Sequence, residues 1–426
     1  MNKVYYPSIR ETLYSDTCEN GLRVFLLQKK GFSKTYATLS TTLGGMNQSV
    51  IKDNQEIELP EGIAHFLEHK MFEKNGKDVS IDFAKLQAKV NAFTQNNKTT
   101  YLFTATDNIH KNIELLLDFV LSSNFTEEGI KKEVDIITQE INMYLDNPNV
   151  KIYHQLMGQM FPNHPASTEI LGQVESIARL DKKTLEIAHQ AFYNPTQMIL
   201  FIAGNVDVNE TMNFIKKSQA KTTKQVEYII PSIEEDYKPI KDIRQTIEAD
   251  ISSPQLLMGV KLPVYHETQL VKHDLILGMV LDVLFGKSST FYQDLLTKGL
   301  INDSFSKEAT LDPSHSYILV GGDTKYPEEL EVRIKEQLQS ASQISITEER
   351  FDQMKKRFIG SFVQAFNYIE FIANNFSKYY FQGHSLFEML ELYQDITIKD
   401  IYDMSHELEK EEFYASVIMN PLKKGA

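Results

Sequence analysis

Two histidines and a glutamate in the run Gly62-Ile63-Ala64-His65-Phe66-Leu67-Glu68-His69 form the pattern His-x-x-Glu-His, whose spacing suits metal chemistry. On an α-helix, residues four apart lie one above the other, so His65 and His69 can turn imidazole nitrogens toward one Zn2+. Glu68 then stands beside the metal. A carboxylate there can take a proton from water whose pKa zinc lowers to about 7, leaving a hydroxide nucleophile. The arrangement suits a metallohydrolase. The bland reading is a surface helix with three polar residues. Against it, Ile63, Phe66, Leu67 and Phe72 supply an apolar stripe that would bury the helix. Buried histidines beside a glutamate need a partner, and a metal is an economical one.

A zinc site needs a third protein ligand. Glu133 and Glu140 lie two helical turns apart in a segment beginning near Glu127, so they share a face. Interleaved with Val134, Ile136, Ile137 and Ile141, they would be partly buried if that face packs inward. A buried carboxylate without a counter-charge is costly. Chemistry alone leaves open either glutamate, or a pair of solvated helix charges, with His110, His154 and His164 as competing ligands.

Regular elements must position these groups. Residues 22–27 read as a strand after the Asn20-Gly21 turn, and residues 36–43 as another, ended by Gly44-Gly45. The His65 helix follows, then a helical segment near 82–89. A hairpin comes next: residues 90–94, a polar turn at Asn96-Asn97-Lys98, and residues 99–106. Helices over 109–121 and 127–145 close this half, the second behind Thr126 as a cap. The order repeats as a strand at 256–260, a helix at 273–285, a strand at 317–320 and a helix at 327–338. The phrase Phe125-Thr126-Glu127-Glu128 returns as Ile346-Thr347-Glu348-Glu349.

The expected fold class is α+β: two homologous domains, each an antiparallel-rich mixed sheet packed against helices. Residues 1–220 form the metal-binding domain and 246–426 a second domain of the same fold without a metal site. Residues 221–245, charged and stiffened by Pro231 and Pro239, read as a linker. In register, Gly278, Leu281 and Asp282 fall where His65, Glu68 and His69 stand, and Met354 and Ser361 where Glu133 and Glu140 stand. Only the first domain can then hold this metal.

Composition bounds the function. The 426 residues exceed one ordinary core and suit two domains of ~200 residues. With 42% hydrophobic and 24% charged residues, the chain is globular in character. Lys and Arg total 44 against 58 Asp and Glu, a formal charge of −14 that argues against nucleic acid or an anionic membrane as main partner. No apolar run approaches the ~18 to 20 residues that cross a bilayer. The start Met1-Asn2-Lys3-Val4-Tyr5-Tyr6-Pro7 shows no signal-peptide pattern, so a cytoplasmic location is expected. Cys18 is the only cysteine, which excludes an internal disulfide and any cysteine zinc cluster.

The chain resembles the pitrilysin/insulinase family of zinc peptidases, the inverzincins. The resemblance is carried by His65-Phe66-Leu67-Glu68-His69, by Asn91-Ala92-Phe93-Thr94, and by Glu133-Val134-Asp135-Ile136-Ile137-Thr138-Gln139-Glu140. It covers nearly the whole chain. It implies His65, His69 and Glu140 as zinc ligands, Glu133 as the carboxylate behind them, and Glu68 as the general base that returns its proton to the leaving amine. It also implies that the strand of Asn91, Ala92 and Phe93 is an exposed edge to which an extended peptide substrate adds. In that family such a chain is half of a clamshell.

One phrase departs from the family pattern. Members that act alone carry, in the second domain, an Arg and a Tyr seven residues later, which bind the substrate carbonyl and stabilise the oxyanion. Leu295 and Asn302 hold those positions here. Losing one such donor costs about 3 kcal/mol in the transition state, so the isolated chain should be a weak peptidase. The resemblance to zinc-bearing subunits of paired peptidases implies a heterodimer with a paralogous subunit that supplies the Arg/Tyr pair. Lys298 is an alternative donor nearby. The competing expectation is a non-catalytic scaffold or accessory subunit. Such scaffolds lose a ligand or the base, whereas His65, Glu68, His69 and Glu140 are all present.

Overall fold

The strands Thr35–Thr41 and Met198–Gly204 are buried at every position. A sheet solvated on one face would alternate buried with exposed, so both faces here are covered. These strands lie inside a seven-stranded sheet ordered Asn2–Tyr6, Glu11–Thr17, Arg23–Gln28, Met198–Gly204, Thr35–Thr41, Thr99–Ala105 and Ala88–Thr94. All its ladders are antiparallel except that between Arg23–Gln28 and Met198–Gly204. The computed structural model describes residues 1–74, 76–220, 227–241 and 243–422.

A second sheet has the order Arg244–Ala249, Tyr414–Pro421, Gln255–Leu262, Ser316–Asp323 and Ser306–Leu311, with its single parallel ladder between the first two. In chain order these are the first, fifth, second, fourth and third strands. The last five strands of the first sheet follow the same sequence with the same directions. The two halves are therefore α+β units of one topology.

The unit boundaries differ from the expected division at 1–220, 221–245 and 246–426. One compact unit comprises Met1–Asn142, Thr168–Ile233 and Val363–Glu388; the other comprises Met143–Ser167, Glu234–Phe362 and Met389–Ala426. The cause is the need to cover both faces of each sheet. In the first unit, helix Ile369–Phe381 packs on Met198–Gly204 and Thr35–Thr41, with Phe376 stacked on Phe201 at 4.4 Å and tilted against Phe25 at 4.7 Å. In the second unit, helix Pro148–Met160 packs on the equivalent strands Tyr414–Pro421 and Gln255–Leu262. Gly259 makes the close approach possible there, since a Cβ would meet Met160 Sδ at 2.3 Å. Part of the expected linker, residues 221–226 and 242, lies outside the described residues. Residues 227–241 run without helix, Ile229 bridging to Ile51, and the strand Arg244–Ala249 begins before the expected end of the linker.

The segment Gln269–Thr297 is long and apolar enough to pass for a membrane span, contrary to the expectation that no run comes near. Its most apolar window is 67% buried inside the protein, the placement of a core helix.

The other face of the first sheet carries a hydrophobic core that holds Phe66 and Leu67 in one cluster with Leu26, Leu39, Phe103 and Leu200. The hairpin of Ala88–Thr94 and Thr99–Ala105 is pinned at its closed end. Gly45 and Met46 donate N–H bonds to the Gln95 and Asn96 carbonyls, each 2.9 Å, and a Cβ on Gly44 would stand 2.4 Å from Asn96 O. Lys98 is buried and donates its Nζ to Asn374 O at 2.9 Å and Ser377 Oγ at 2.8 Å, tying the turn to helix Ile369–Phe381. Burial, helped by the Lys378 charge, lowers the Lys98 ammonium to about 8.

The folded chain thus sheds this proton at a lower pH than the unfolded chain. Between pH 8 and the ordinary lysine value of 10.5 the unfolded state binds more protons, so stability rises with pH across that window. Urea unfolding of the native protein and of Lys98→Met between about pH 7.5 and pH 10 should give a free-energy difference that moves in favour of the native protein as pH rises. A constant or falling difference would contradict the burial of the ammonium.

Candidate metal centre

Helix Ile63–Met71 starts at Gly62, whose φ of 86° favours glycine and whose Cβ would lie 2.4 Å from Leu171 O. Ile63, Phe66, Leu67 and Met71 point into the core, as the apolar stripe requires. His65, Glu68 and His69 are left half-buried beside it. Helix Glu127–Leu145 buries Ile130, Glu133, Ile137 and Ile141, and Thr126 Oγ1 accepts the Gly129 N–H at 3.1 Å.

The two helices bring three donor atoms together. Glu140 Oε2 lies 3.9 Å from His65 Nε2 and 3.8 Å from His69 Nε2, and one ligand atom of each residue falls within 4.8 Å of the others. Two imidazole nitrogens and one carboxylate oxygen are a donor set that Zn2+ takes, with a fourth position left for solvent or substrate. Among the described residues this is the single group of His, Cys, Asp or Glu able to hold a metal. The competing histidines lie elsewhere: His110 stacks on Phe214 and meets Thr211, His154 meets the Tyr153 ring edge-on, and His164 Nδ1 accepts the Ala166 N–H.

Glu133 is buried, and its Oε1 accepts a hydrogen bond from His69 Nδ1 at 3.0 Å. With the proton on Nδ1, the His69 Nε2 lone pair faces Glu140 and His65. Burial alone would lower the His69 pKa, but the Glu133 hydrogen bond and the charges of Glu133, Glu68 and Glu140 raise it. His65 has no such support. Its Nδ1 is buried without a hydrogen-bond partner among the described residues, and burial with the neighbouring His69 charge lowers its pKa to about 4. A neutral imidazole is the form that binds metal.

Glu68 Oε2 accepts a hydrogen bond from Thr94 Oγ1 at 2.7 Å. Burial raises the Glu68 pKa, and the Thr94 bond opposes that rise. Thr94 belongs to the phrase that carries the family resemblance, but its bond to Glu68 joins residues 26 apart and leaves no local spacing to read.

The strand Ala88–Thr94 ends its sheet. Gln95 N–H donates to the Lys98 carbonyl at 2.8 Å, which fixes the alternation of the ladder. Phe93 and Asn91 then turn their main-chain groups inward to Thr100 and Leu102, while those of Ala92 and Val90 face the open edge. The side chains alternate too. Val90 and Ala92 pack on the core and Thr94 reaches Glu68, so Phe93 and Asn91 lie on the opposite face. Phe93 receives the Lys98 ammonium at 5.6 Å, and Asn91 is exposed. The Asn91 side chain therefore lies on the face opposite Thr94 and Glu68. Of the trio Asn91, Ala92 and Phe93, Ala92 alone offers its main chain to an added strand.

In the second unit the equivalent positions carry other chemistry. Leu281 and Met354 are buried, and Asp282 forms ion pairs with Arg357 and Lys307. Leu295 is fully buried. Asn302 is exposed, its Oδ1 accepting the Ser304 N–H at 2.8 Å, and Lys298 Nζ pairs with Asp294 at 2.8 Å.

Known proteins resemble this chain along most of its length. Residues 53–174, which include every group of the centre, match the family described as Insulinase (Peptidase family M16), and residues 179–358 match the Peptidase M16 inactive domain. The uncharacterized zinc protease YmfH of Bacillus subtilis is 38% identical over 95% of each chain, and the uncharacterized zinc protease YmxG of the same organism is 27% identical over 81% of this chain and 82% of its own. A crystal structure of an M16-like peptidase from Alicyclobacillus acidocaldarius superposes with a TM-score of 0.92 at 32% identity, covering 96% of this chain and 98% of that one. A protease from Helicobacter pylori shares the fold, with a TM-score of 0.81 at 21% identity over 96% of this chain and 99% of its own.

The contrast between the two histidines is measurable. In protein stripped of metal, NMR of the imidazole rings should show His65 staying neutral until the pH falls near 4, with His69 titrating above the ordinary histidine value of 6.5. Parallel titration of the two rings would contradict the described environments.

Proposed function

The chain belongs to the insulinase family of M16 peptidases, and from that membership we propose that it is a zinc metalloendopeptidase acting on short, extended or unfolded peptides. The meeting of His65 Nε2, His69 Nε2 and Glu140 Oε2 beside the Glu68 carboxylate carries the reading. His65, His69 and Glu140 would hold Zn2+, and Glu133 would orient His69. A zinc ion at such a site lowers the pKa of water and polarises a carbonyl oxygen.

The protein groups do the rest. Glu68 takes the proton of the attacking water and delivers it to the departing amine nitrogen. Its raised pKa suits both steps, because a base must also become a competent acid within one turnover. The peptide lies extended along Ala88–Thr94, pairing with the main chain of Val90 and Ala92. Main-chain pairing selects for extended conformation more than for side-chain sequence.

The reading includes a partner. Buried Leu295 and exposed Asn302 stand where the family resemblance places an Arg and a Tyr in members that act alone, so a paralogous subunit in a heterodimer is the proposed source of oxyanion stabilisation. The same observation favours the alternative of an accessory subunit, and activity separates the two.

Glu68→Gln should keep one zinc per chain, measured by elemental analysis, while peptide turnover falls by at least about 100-fold. Glu140→Ala should lose the zinc itself. Turnover at the native rate by Glu68→Gln would remove Glu68 from the chemistry. Adding a paralogue that carries the Arg/Tyr pair should raise hydrolysis of a quenched fluorescent peptide by about 100-fold over the chain alone. Full activity from a verified monomer would overturn the heterodimer, and zinc binding without hydrolysis in either sample would favour the accessory role.

A further inference from the structure

We infer that Thr94 is a positioning residue for the general base, linking the docked peptide to the carboxylate that serves it; the inference rests on the peptidase reading above. A glutamate side chain turns about three bonds, and burial alone does not choose its rotamer. Thr94 chooses it. Its Oγ1 has one proton, given to Glu68 Oε2 at 2.7 Å. That bond holds Oε2 to the strand and so fixes the direction in which Oε1, the oxygen assigned to receive the proton of water, is presented. The water oxygen then bonds to the scissile carbon, the C–N bond breaks, and the proton passes from Glu68 Oε1 to the amine nitrogen.

The hydroxyl is itself held firmly. Threonine is β-branched and restricted at χ1. Thr94 faces Thr99 across the hairpin, and Thr99 Oγ1 donates to Leu43 O at 2.9 Å while lying 3.4 Å from Thr94 Oγ1. One residue further, the closed end of the hairpin is clamped by Gly45, Met46 and Lys98. Thr94 therefore stands on a strand fixed at one end and open along its edge. Ala92, whose main chain faces that edge, is two residues away on the same side as Thr94. A peptide paired at Ala92 bears on the same short stretch of backbone that aims the hydroxyl.

The test is a pair of substitutions. Thr94→Val keeps the branched shape and removes the donor, whereas Thr94→Ser keeps the donor. Both would be assayed by steady-state and single-turnover hydrolysis of a quenched fluorescent peptide in the assembly that cleaves it, with zinc content measured on the same samples. Thr94→Val should hold one zinc per chain, leave KM within about 2-fold and lower kcat by about 10- to 100-fold. Thr94→Ser should recover most of the rate. A crystal structure of zinc-loaded Thr94→Val should show the Glu68 carboxylate turned from its native rotamer. Native kcat in Thr94→Val, equal losses in both variants, or an unmoved Glu68 would overturn the inference. If Glu68→Gln is inactive while Thr94→Val is native, this inference alone fails. If Glu68→Gln turns over normally, the peptidase reading fails with it.

Discussion

Ionisable groups withdrawn from water between two helices must satisfy one another, and the bond from His69 Nδ1 to Glu133 is where this chain meets that demand. Leaving either partner unmatched would cost about 1 to 3 kcal/mol or more. The bond joins helix Glu127–Leu145 to helix Ile63–Met71 at one fixed point. Glu140, two turns beyond Glu133 on the same face, lies opposite His65 and His69. The apolar stripes on both helices supply the attraction, and the charged pair supplies the alignment. Thr94 does for Glu68 what Glu133 does for His69: each side chain meant to face solvent chemistry is steadied by one that is not.

The duplicated topology shows how little the fold itself decides. Five strands run in the same order and directions in both units, and each sheet receives a helix at the same two central strands. In one unit the helix beside the sheet presents His65, Glu68 and His69. In the other, the matching positions hold a glycine, a buried leucine and an aspartate taken up by Arg357 and Lys307. A scaffold of this kind is neutral toward function until particular side chains are placed on it.

Much of this was legible in the amino-acid order because it depends on local periodicity. Helices Ile109–Leu121 and Glu127–Leu145 begin and end where their apolar spacing and the Thr126 cap put them. The His65 helix and the shared face of Glu133 and Glu140 follow from a 3.6-residue turn. What was hidden depends on partners distant in the chain. Thr35–Thr41 alternates Tyr36, Thr38 and Ser40 with Ala37 and Leu39, which reads as a strand with one wet face. The polar face is in fact covered by a helix more than three hundred residues away, where Tyr36 OH donates to Asn374. The unit boundaries were missed for the same reason. The orientation of Asn91 needed the ladder phase set by Gln95 and Lys98, and a string of residue types carries no phase.

The helix that covers the first sheet also sets a schedule. A domain made during synthesis ordinarily folds once its own segment has emerged, amino-terminal part first. Here Phe25 and Phe201 wait for Phe376, so the unit bearing His65 and Glu140 stays unfinished until residues 363–388 have left the ribosome, more than two hundred residues after Glu140. A nascent or prematurely ended chain would hold every residue of the centre and yet show an uncovered aromatic sheet face, the kind of surface that chaperones and quality-control proteases capture. Competence of the centre is tied to a helix made long after its own residues.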